Sequence, residues 1–416
     1  MITVFRRRAL IGAATLGLLA STVVGGAGPA SGGLPARWVG TWGTALTAAS
    51  LGNTGSSLAG FNDQSIRQVV RISLGGEKVR LRFTNAYGTQ PLSIGHVTVG
   101  LPATAGSAQL KPGSLREVTF GGSASTTVYK GADVLSDPVD LTVDAVSELA
   151  VTMYLPTATG PASWHWTARQ ASYVYAGDHA ADETGAAPAA TYNDFFYLAG
   201  VEVQTKTGLG TVVVLGDSVS DGSGATFGAN SRWTDQLANR ITSTFPALGD
   251  PGVINVSLAG NEVTRDGITL NSPALGESAL ARLDYDVLAQ PGVRTVVVQL
   301  GVNDISFFND PAARITDGLR QLAVQAKARG VRVVVATVGP FEGYSSWTAD
   351  KEATRQAVNT WLRGSDAFDG LIDFDQLVRD PAAPTKLLPA YDSGDHIHPN
   401  DAGAAAIAAA VPLWLL

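Results

Sequence analysis

Apolar residues recur along this chain with two different periods, and the change between them falls near Thr207. From Trp38 to about Lys206 they alternate with polar residues in short runs, as in Val79-Arg80-Leu81-Arg82-Phe83 and from Ser147 to Tyr154. Clusters of Gly, Pro, Asn and Asp separate the runs. A period of two places successive side chains on opposite faces of a strand, and frequent turn residues fold such strands back on one another. The expectation for residues 34–206 is therefore an antiparallel accessory domain, β-sandwich or jelly-roll-like, without a long helix.

After Thr207 apolar runs alternate with amphipathic segments of helical length. Strands are predicted at 211–216, 253–257, 295–300, 331–338 and 370–374, and helices at 231–245, 274–290, 311–329, 349–363 and 401–411. Continuous Val- and Ile-rich strands alternating with helices specify a parallel sheet covered on both faces. Residues 207–416 are thus expected to form an α/β, doubly wound domain of about five parallel strands. Ligands of such sheets bind beyond the carboxyl ends of the strands, which is where chemistry is to be sought.

The first 30 residues read differently. Arg6-Arg7-Arg8 precede an apolar run from Ala9 to about Val24 and a small-residue stretch ending near Ala30, the three-part order of a secretory signal. The run is about 16 residues long, short of the roughly 20 that span a bilayer, so no stable membrane anchor is expected. Adjacent arginines admit either the general or the twin-arginine export route. The protein is expected to be secreted. A chain of 416 residues with a formal charge of −7 lacks the basic footprint of a nucleic-acid binder. The absence of cysteine excludes disulfides, thiolate nucleophiles and Cys-ligated metals.

Four short segments stand at or near the predicted strand ends. The first strand runs into Gly216-Asp217-Ser218-Val219-Ser220-Asp221-Gly222, which places Ser218 where a nucleophile would sit; a plain helix cap is the alternative. The second is followed by Gly260, whose N–H can approach a ligand closely, or which simply turns the chain. The third ends Gly301-Val302-Asn303-Asp304, offering a carboxamide, although Asn and Asp also serve as ordinary turn formers. Near the C-terminus, Asp392-Ser393-Gly394-Asp395-His396-Ile397-His398-Pro399-Asn400 sets Asp395 three residues before His398, close enough for the carboxylate to accept the imidazole Nδ1–H. His396 is the rival base, but Ser393 rather than an acid precedes it by three, so it is expected to serve as wall or to face solvent.

Together, Gly-Asp-Ser-x-Ser-x-Gly, a glycine after strand two, Gly-x-Asn-Asp after strand three and Asp-x-x-His-Pro-Asn resemble the blocks of the SGNH hydrolases, also called the GDSL esterase/lipase family. The resemblance covers the second half of the chain, roughly 211–411; the β-rich first half looks like the extra module of larger secreted members. It implies Ser218 as nucleophile, His398 as general base and then acid, and Asp395 as orienting carboxylate. The backbone N–H groups of Ser218 and Gly260 and the side-chain amide of Asn303 would form the oxyanion hole. Asp217 and Asp304 are expected to accept backbone N–H groups.

The implied activity is hydrolysis of carboxylic esters through an acyl-enzyme, with no metal or organic cofactor. The partner is a small-molecule, carbohydrate or lipid ester, with short-chain or carbohydrate-linked acyl groups favoured. A lipase, phospholipase or acyltransferase would carry the same triad. From another class, Trp164-His165-Trp166 offers a sugar-binding platform through Trp164 and Trp166, set against the reading that they are core. The five histidines lack a zinc-protease spacing, and neither dinucleotide nor P-loop glycine motifs are complete.

Overall fold

The run Thr211–Gly216 is the hub of a parallel sheet. In the computed structural model, which describes residues 36–52, 54–244 and 249–416, it pairs with Gly252–Asn255 on one side and Val293–Gln299 on the other. Arg332–Ala336 and Gly370–Ile372 complete five parallel strands in the order 2-1-3-4-5. The residues read as an export signal, 1–30, lie outside those described.

Alternation within the buried strands sorts their side chains into two cores. Val213, Leu215, Val296, Val298, Val333 and Val335 face one way and pack with Ile315, Leu319 and Leu322 of helix Ala312–Ala328 and Val358 of helix Ala349–Gly364. Val212, Val214, Val297 and Val334 face the other way, against Trp233 and Leu237 of helix Trp233–Thr244 and Ile407 of helix Asp401–Ala410. Burial on both faces is why these strands read as unbroken apolar runs. Because the order reverses at the first strand, a crevice opens at its carboxyl end.

Several predicted elements differ; the second and fifth strands each end two residues early, at Asn255 and Ile372. The segment expected to form one helix at 274–290 is broken into a 3₁₀ turn at Pro273–Leu275, an α-turn at Ala279–Arg282 and a π-turn at Leu283–Leu288. Gly276, with φ 78°, stops the first piece, and the Ser278 hydroxyl restarts the chain by capping Ala281 N–H. The fourth strand ends at Ala336, earlier than expected, since Val338 N–H turns to Asn359 Oδ1 at 2.8 Å.

The first half is β-rich, as expected. One sheet of five strands contains Arg37–Gly43, Leu198–Thr205, Gly76–Thr84, Asp133–Leu135 and Val139–Val143; a second, of six, centres on Gln64–Arg71 and Glu148–Leu155, and two short two-stranded pairs stand beside them. Val79, Leu81, Phe83 and Val203 of the first share one core with Ile66, Val70, Val151 and Met153 of the second. Both halves lie within one compact unit. Gly40 and Gly252 come so close that a Cβ on Gly252 would stand 2.0 Å from Gly40 O. Among the described residues no helix is long and apolar enough to cross a membrane.

Candidate active site

The first strand delivers Ser218 as the opening residue of a one-turn helix, Ser218–Asp221. Asp217 caps that helix by accepting Val219 N–H at 3.0 Å, the role expected of it. Burial pushes its carboxyl up to about 7, against the opposing pull of that N–H. The helix is also held from below. Ser220 Oγ donates to Gln299 Oε1 at 2.7 Å and accepts from Trp233 Nε1 at 3.0 Å, tying the nucleophile turn to the third strand.

His398 reaches the same point from the other end of the chain. Its Nε2 lies 2.7 Å from Ser218 Oγ, and its Nδ1 lies 2.5 Å from Asp395 Oδ2. Since a carboxylate only accepts, Nδ1 carries the proton, which leaves Nε2 free to receive the serine proton. Asp395 Oδ1 also accepts from His398 N at 2.9 Å, Ile397 N at 3.1 Å and Ser393 Oγ at 3.1 Å. Partial burial would raise this carboxyl, but the His398 ring and the backbone donors hold it well below the usual carboxylate range. Closure of this loop onto the nucleophile needs a glycine at 224. With φ 89°, its missing Cβ would lie 2.5 Å from Pro399 O and 3.3 Å from His398 Cβ.

The remaining expected residues stand at the same sheet edge. Gly260, with φ 79°, turns the chain after the second strand. Asn303 lies in the first turn of helix Val302–Phe308, and its Nδ2 donates to Asn261 O at 2.9 Å. An amide nitrogen carries two protons, and the second has no acceptor among the hydrogen bonds of the described residues. Asp304, expected as a structural acceptor, takes Val263 N–H at 3.1 Å. The Gly260 loop is further fixed by Asn261, whose Nδ2 donates to Leu275 O and Glu277 O while its Oδ1 accepts from Arg282 Nε. Buried Arg282 also donates to Val256 O at 2.6 Å and Asp286 at 2.8 Å.

Glu262, Asp304 and Asp310 form an oxygen-ligand cluster whose atoms lie within 4.8 Å of one another. Arg265 grips Asp310 through two hydrogen bonds, and Arg314 adds a second positive charge at 3.6 Å. Glu262 is 1% exposed with neither oxygen hydrogen-bonded. Burial, reinforced by the Asp304 charge, pushes its carboxyl up to about 8.

His396 has a partner the sequence reading did not give it. Its Nδ1 lies 2.6 Å from Asp392 Oδ2 and its N–H donates to Asp392 Oδ1 at 3.0 Å; the acid is four residues away, at a separation not considered, rather than three. Half of the ring is exposed. The proposed sugar platform is not presented. Trp164 is 1% exposed, with Nε1 on Ala48 O, and Trp166 packs partly buried against the same core. The central histidine of that motif, to which the sequence reading assigns no role, makes a contact of its own. His165 Nε2 lies 3.0 Å from Asp221 Oδ1 on the nucleophile helix.

A serine, an imidazole and a carboxylate in one hydrogen-bond chain, at the carboxyl ends of a parallel sheet ordered 2-1-3-4-5, have the arrangement of a serine-hydrolase domain. Residues 214–406 match the model of the GDSL-like Lipase/Acylhydrolase family. The uncharacterized esterase YxiM of Bacillus subtilis (strain 168) is 31% identical over 122 residues, which cover 27% of this chain and 31% of that protein. Among solved structures, the aryl esterase of M. smegmatis has a TM-score of 0.39 and 17% identity, over 48% of this chain and 96% of its own. An acetylxylan esterase from Geobacillus stearothermophilus has a TM-score of 0.35 and 22% identity, over 50% of this chain and 94% of its own.

Proposed function

We infer that the protein is a secreted serine esterase that cleaves carboxylic esters through an acyl-enzyme, in a catalytic domain of residues 207–416 with a β-sandwich accessory domain at 34–206. The observation that carries this reading is the unbroken chain from Asp395 through His398 to Ser218 Oγ. His398 Nε2 takes the hydroxyl proton as Ser218 Oγ bonds to the ester carbonyl carbon. The carbonyl oxygen becomes an anion in reach of Ser218 N–H, Gly260 N–H and the spare Asn303 amide proton. Collapse expels the alcohol, which leaves with the proton from His398. Water then repeats the sequence on the acyl-enzyme, releasing the acid and restoring Ser218. Asp395 orients the ring and stabilises its charged form in both halves.

Short-chain and carbohydrate-linked acyl groups are the proposed substrates, because a formal charge of −7 gives no attraction to anionic lipid. A panel of aryl esters graded from acetyl to palmitoyl, run beside acetylated polysaccharide, tests both levels. Turnover that declines with chain length supports the substrate class. Loss of all turnover, and of fluorophosphonate labelling, in Ser218→Ala supports the mechanism; undiminished activity in that variant overturns it.

A further inference from the structure

His165 belongs to the β-rich half, on the short strand Trp164–His165, yet its ring is buried against the nucleophile helix. Its Nδ1 lies 2.9 Å from Ala45 O and its Nε2 lies 3.0 Å from Asp221 Oδ1. A carbonyl oxygen accepts and cannot donate, and the same holds for a carboxylate. Both ring nitrogens must therefore carry protons, and the ring is an imidazolium paired with Asp221. Burial alone would push this imidazole down; Asp221 and the Ala45 carbonyl outweigh it and hold the group above its ordinary value.

Asp221 is the last residue of the one-turn helix that Ser218 begins. Its other oxygen, Oδ2, accepts Ala259 N–H at 3.0 Å, in the residue directly before Gly260. One carboxylate thus joins three parts: the β-rich half through His165, the nucleophile helix through its own backbone, and the glycine turn through Ala259. The surrounding charges are accounted for. Arg232 Nε donates to Asp221 O at 2.8 Å and Arg232 pairs with Asp235, while Asp194 binds Thr167 N–H. Arg71 lines the same cleft. None of these replaces His165 as the donor to Asp221 Oδ1 among the hydrogen bonds of the described residues.

We propose that His165 is a positioning residue for ester hydrolysis: as a buried imidazolium it fixes Asp221, and through it the Ala259–Gly260 turn whose N–H stabilises the oxyanion. This rests on the reading of Gly260 as an oxyanion-hole donor. It assigns the β-rich half a part in catalysis that requires no contact with substrate. The oxyanion forms only as the reaction proceeds, so displacement of Gly260 N–H costs turnover and leaves ground-state binding intact.

The test compares full-length wild type, His165→Phe, Asp221→Asn and the double variant. An oxyanion donor is worth roughly 10²–10³ in turnover, so a displaced one is expected to cost His165→Phe about 10–100-fold in kcat with KM within about threefold. In the double variant the carboxamide oxygen at position 221 still accepts Ala259 N–H and no buried carboxylate is left unpaired, so kcat recovers at least about fivefold over His165→Phe. Two readouts do not need activity. Nitrogen-15 NMR of histidine-labelled protein at neutral pH shows both His165 nitrogens protonated in wild type and only one in Asp221→Asn. Hydrogen exchange of peptides spanning 256–263 speeds up at least about tenfold in His165→Phe. A neutral His165 in wild type, or a folded His165→Phe with wild-type kcat and unchanged exchange, overturns the proposal. If His165→Phe does not fold, the nitrogen-15 spectra of wild type and Asp221→Asn decide. If wild type cleaves no ester, the esterase reading fails while the NMR and exchange results still judge the His165 link.

Discussion

Asp392 and Asp395 hold their histidines in the same way, each accepting a ring Nδ1–H and the backbone N–H of the same residue. What separates the two pairs is where the other ring nitrogen goes: His398 Nε2 meets Ser218 Oγ, whereas the His396 ring is half exposed. Asp395→Asn should therefore lower kcat/KM by on the order of 10⁴, through the wrong tautomer, whereas Asp392→Asn should stay within about fivefold of wild type. Steady-state kinetics on a short-chain ester checks both, and equal losses would give the two pairs equal standing. Asn303→Ala removes one of the proposed oxyanion donors and should slow turnover roughly 100–1,000-fold with the melting temperature little changed. Glu262 makes its prediction through stability. Its carboxyl stands at about 8 when folded and near 4.3 when unfolded, so between those values the folded state holds the extra proton. Stability is therefore lost as pH climbs from about 4 to 8. Glu262→Gln lacks this loss, and its melting temperature relative to wild type should rise between pH 5 and pH 8.5. A difference that stays flat would show Glu262 ionised in the fold.

The elements that position these residues were legible in proportion to how locally they are determined. Val212, Val213 and Val214 announce a strand buried on both faces because every side chain of the run enters one core or the other. Three of the four site blocks were legible for a chemical reason, since serine, amide, and imidazole with its carboxylate cannot be exchanged for other groups; the glycine block was legible only in their company. The break in the 274–290 segment was missed because a single φ of 78° at Gly276 overrides a sound apolar period. The His165–Asp221 contact left no signal at all, since it joins residues 56 apart, one on a short strand of the β-rich half and one on the nucleophile helix. Gly224 lies between these extremes, a glycine two residues past the nucleophile motif whose purpose appears only where the His398 loop crosses it. Gly224→Ala should push that loop away from Ser218 and cut kcat at least about tenfold. Gly228→Ala is the control: it shares a left-handed backbone, φ 71°, but its Cβ would meet nothing within 4 Å. It should lose roughly 1–2 kcal/mol of stability and keep its kcat. Equal kinetic losses in both would assign the effect to backbone strain.

At the scale of the molecule, the parallel sheet has an edge that the β-rich half covers. Ser73 Oγ accepts Val253 N–H at 2.8 Å, and its single hydroxyl proton points to Thr41 O at 2.7 Å with Val253 O 3.0 Å away, so one side chain meets both backbone groups of an edge residue. Gly40 N–H bonds Thr211 Oγ1 at 3.1 Å, and Gly40 and Gly43 make room for the Ile254 side chain. Further along, Tyr285 OH donates to Asp133 at 2.6 Å, and Asn230 Nδ2 donates to Glu148 at 2.7 Å. An uncovered edge strand carries free N–H and C=O groups that recruit other chains. A fragment of residues 207–416 made alone should accordingly associate or fail to fold, whereas an appended module would leave it monomeric. The intact protein should lose hydrogen-exchange protection in Gln64–Arg71 and in Thr211–Gly216 at the same urea concentration, as one cooperative unit. Protection in Thr211–Gly216 that survives unfolding of Gln64–Arg71 would show that the two halves stand independently. The chain through His165 would then have no fixed anchor from which to hold the glycine turn.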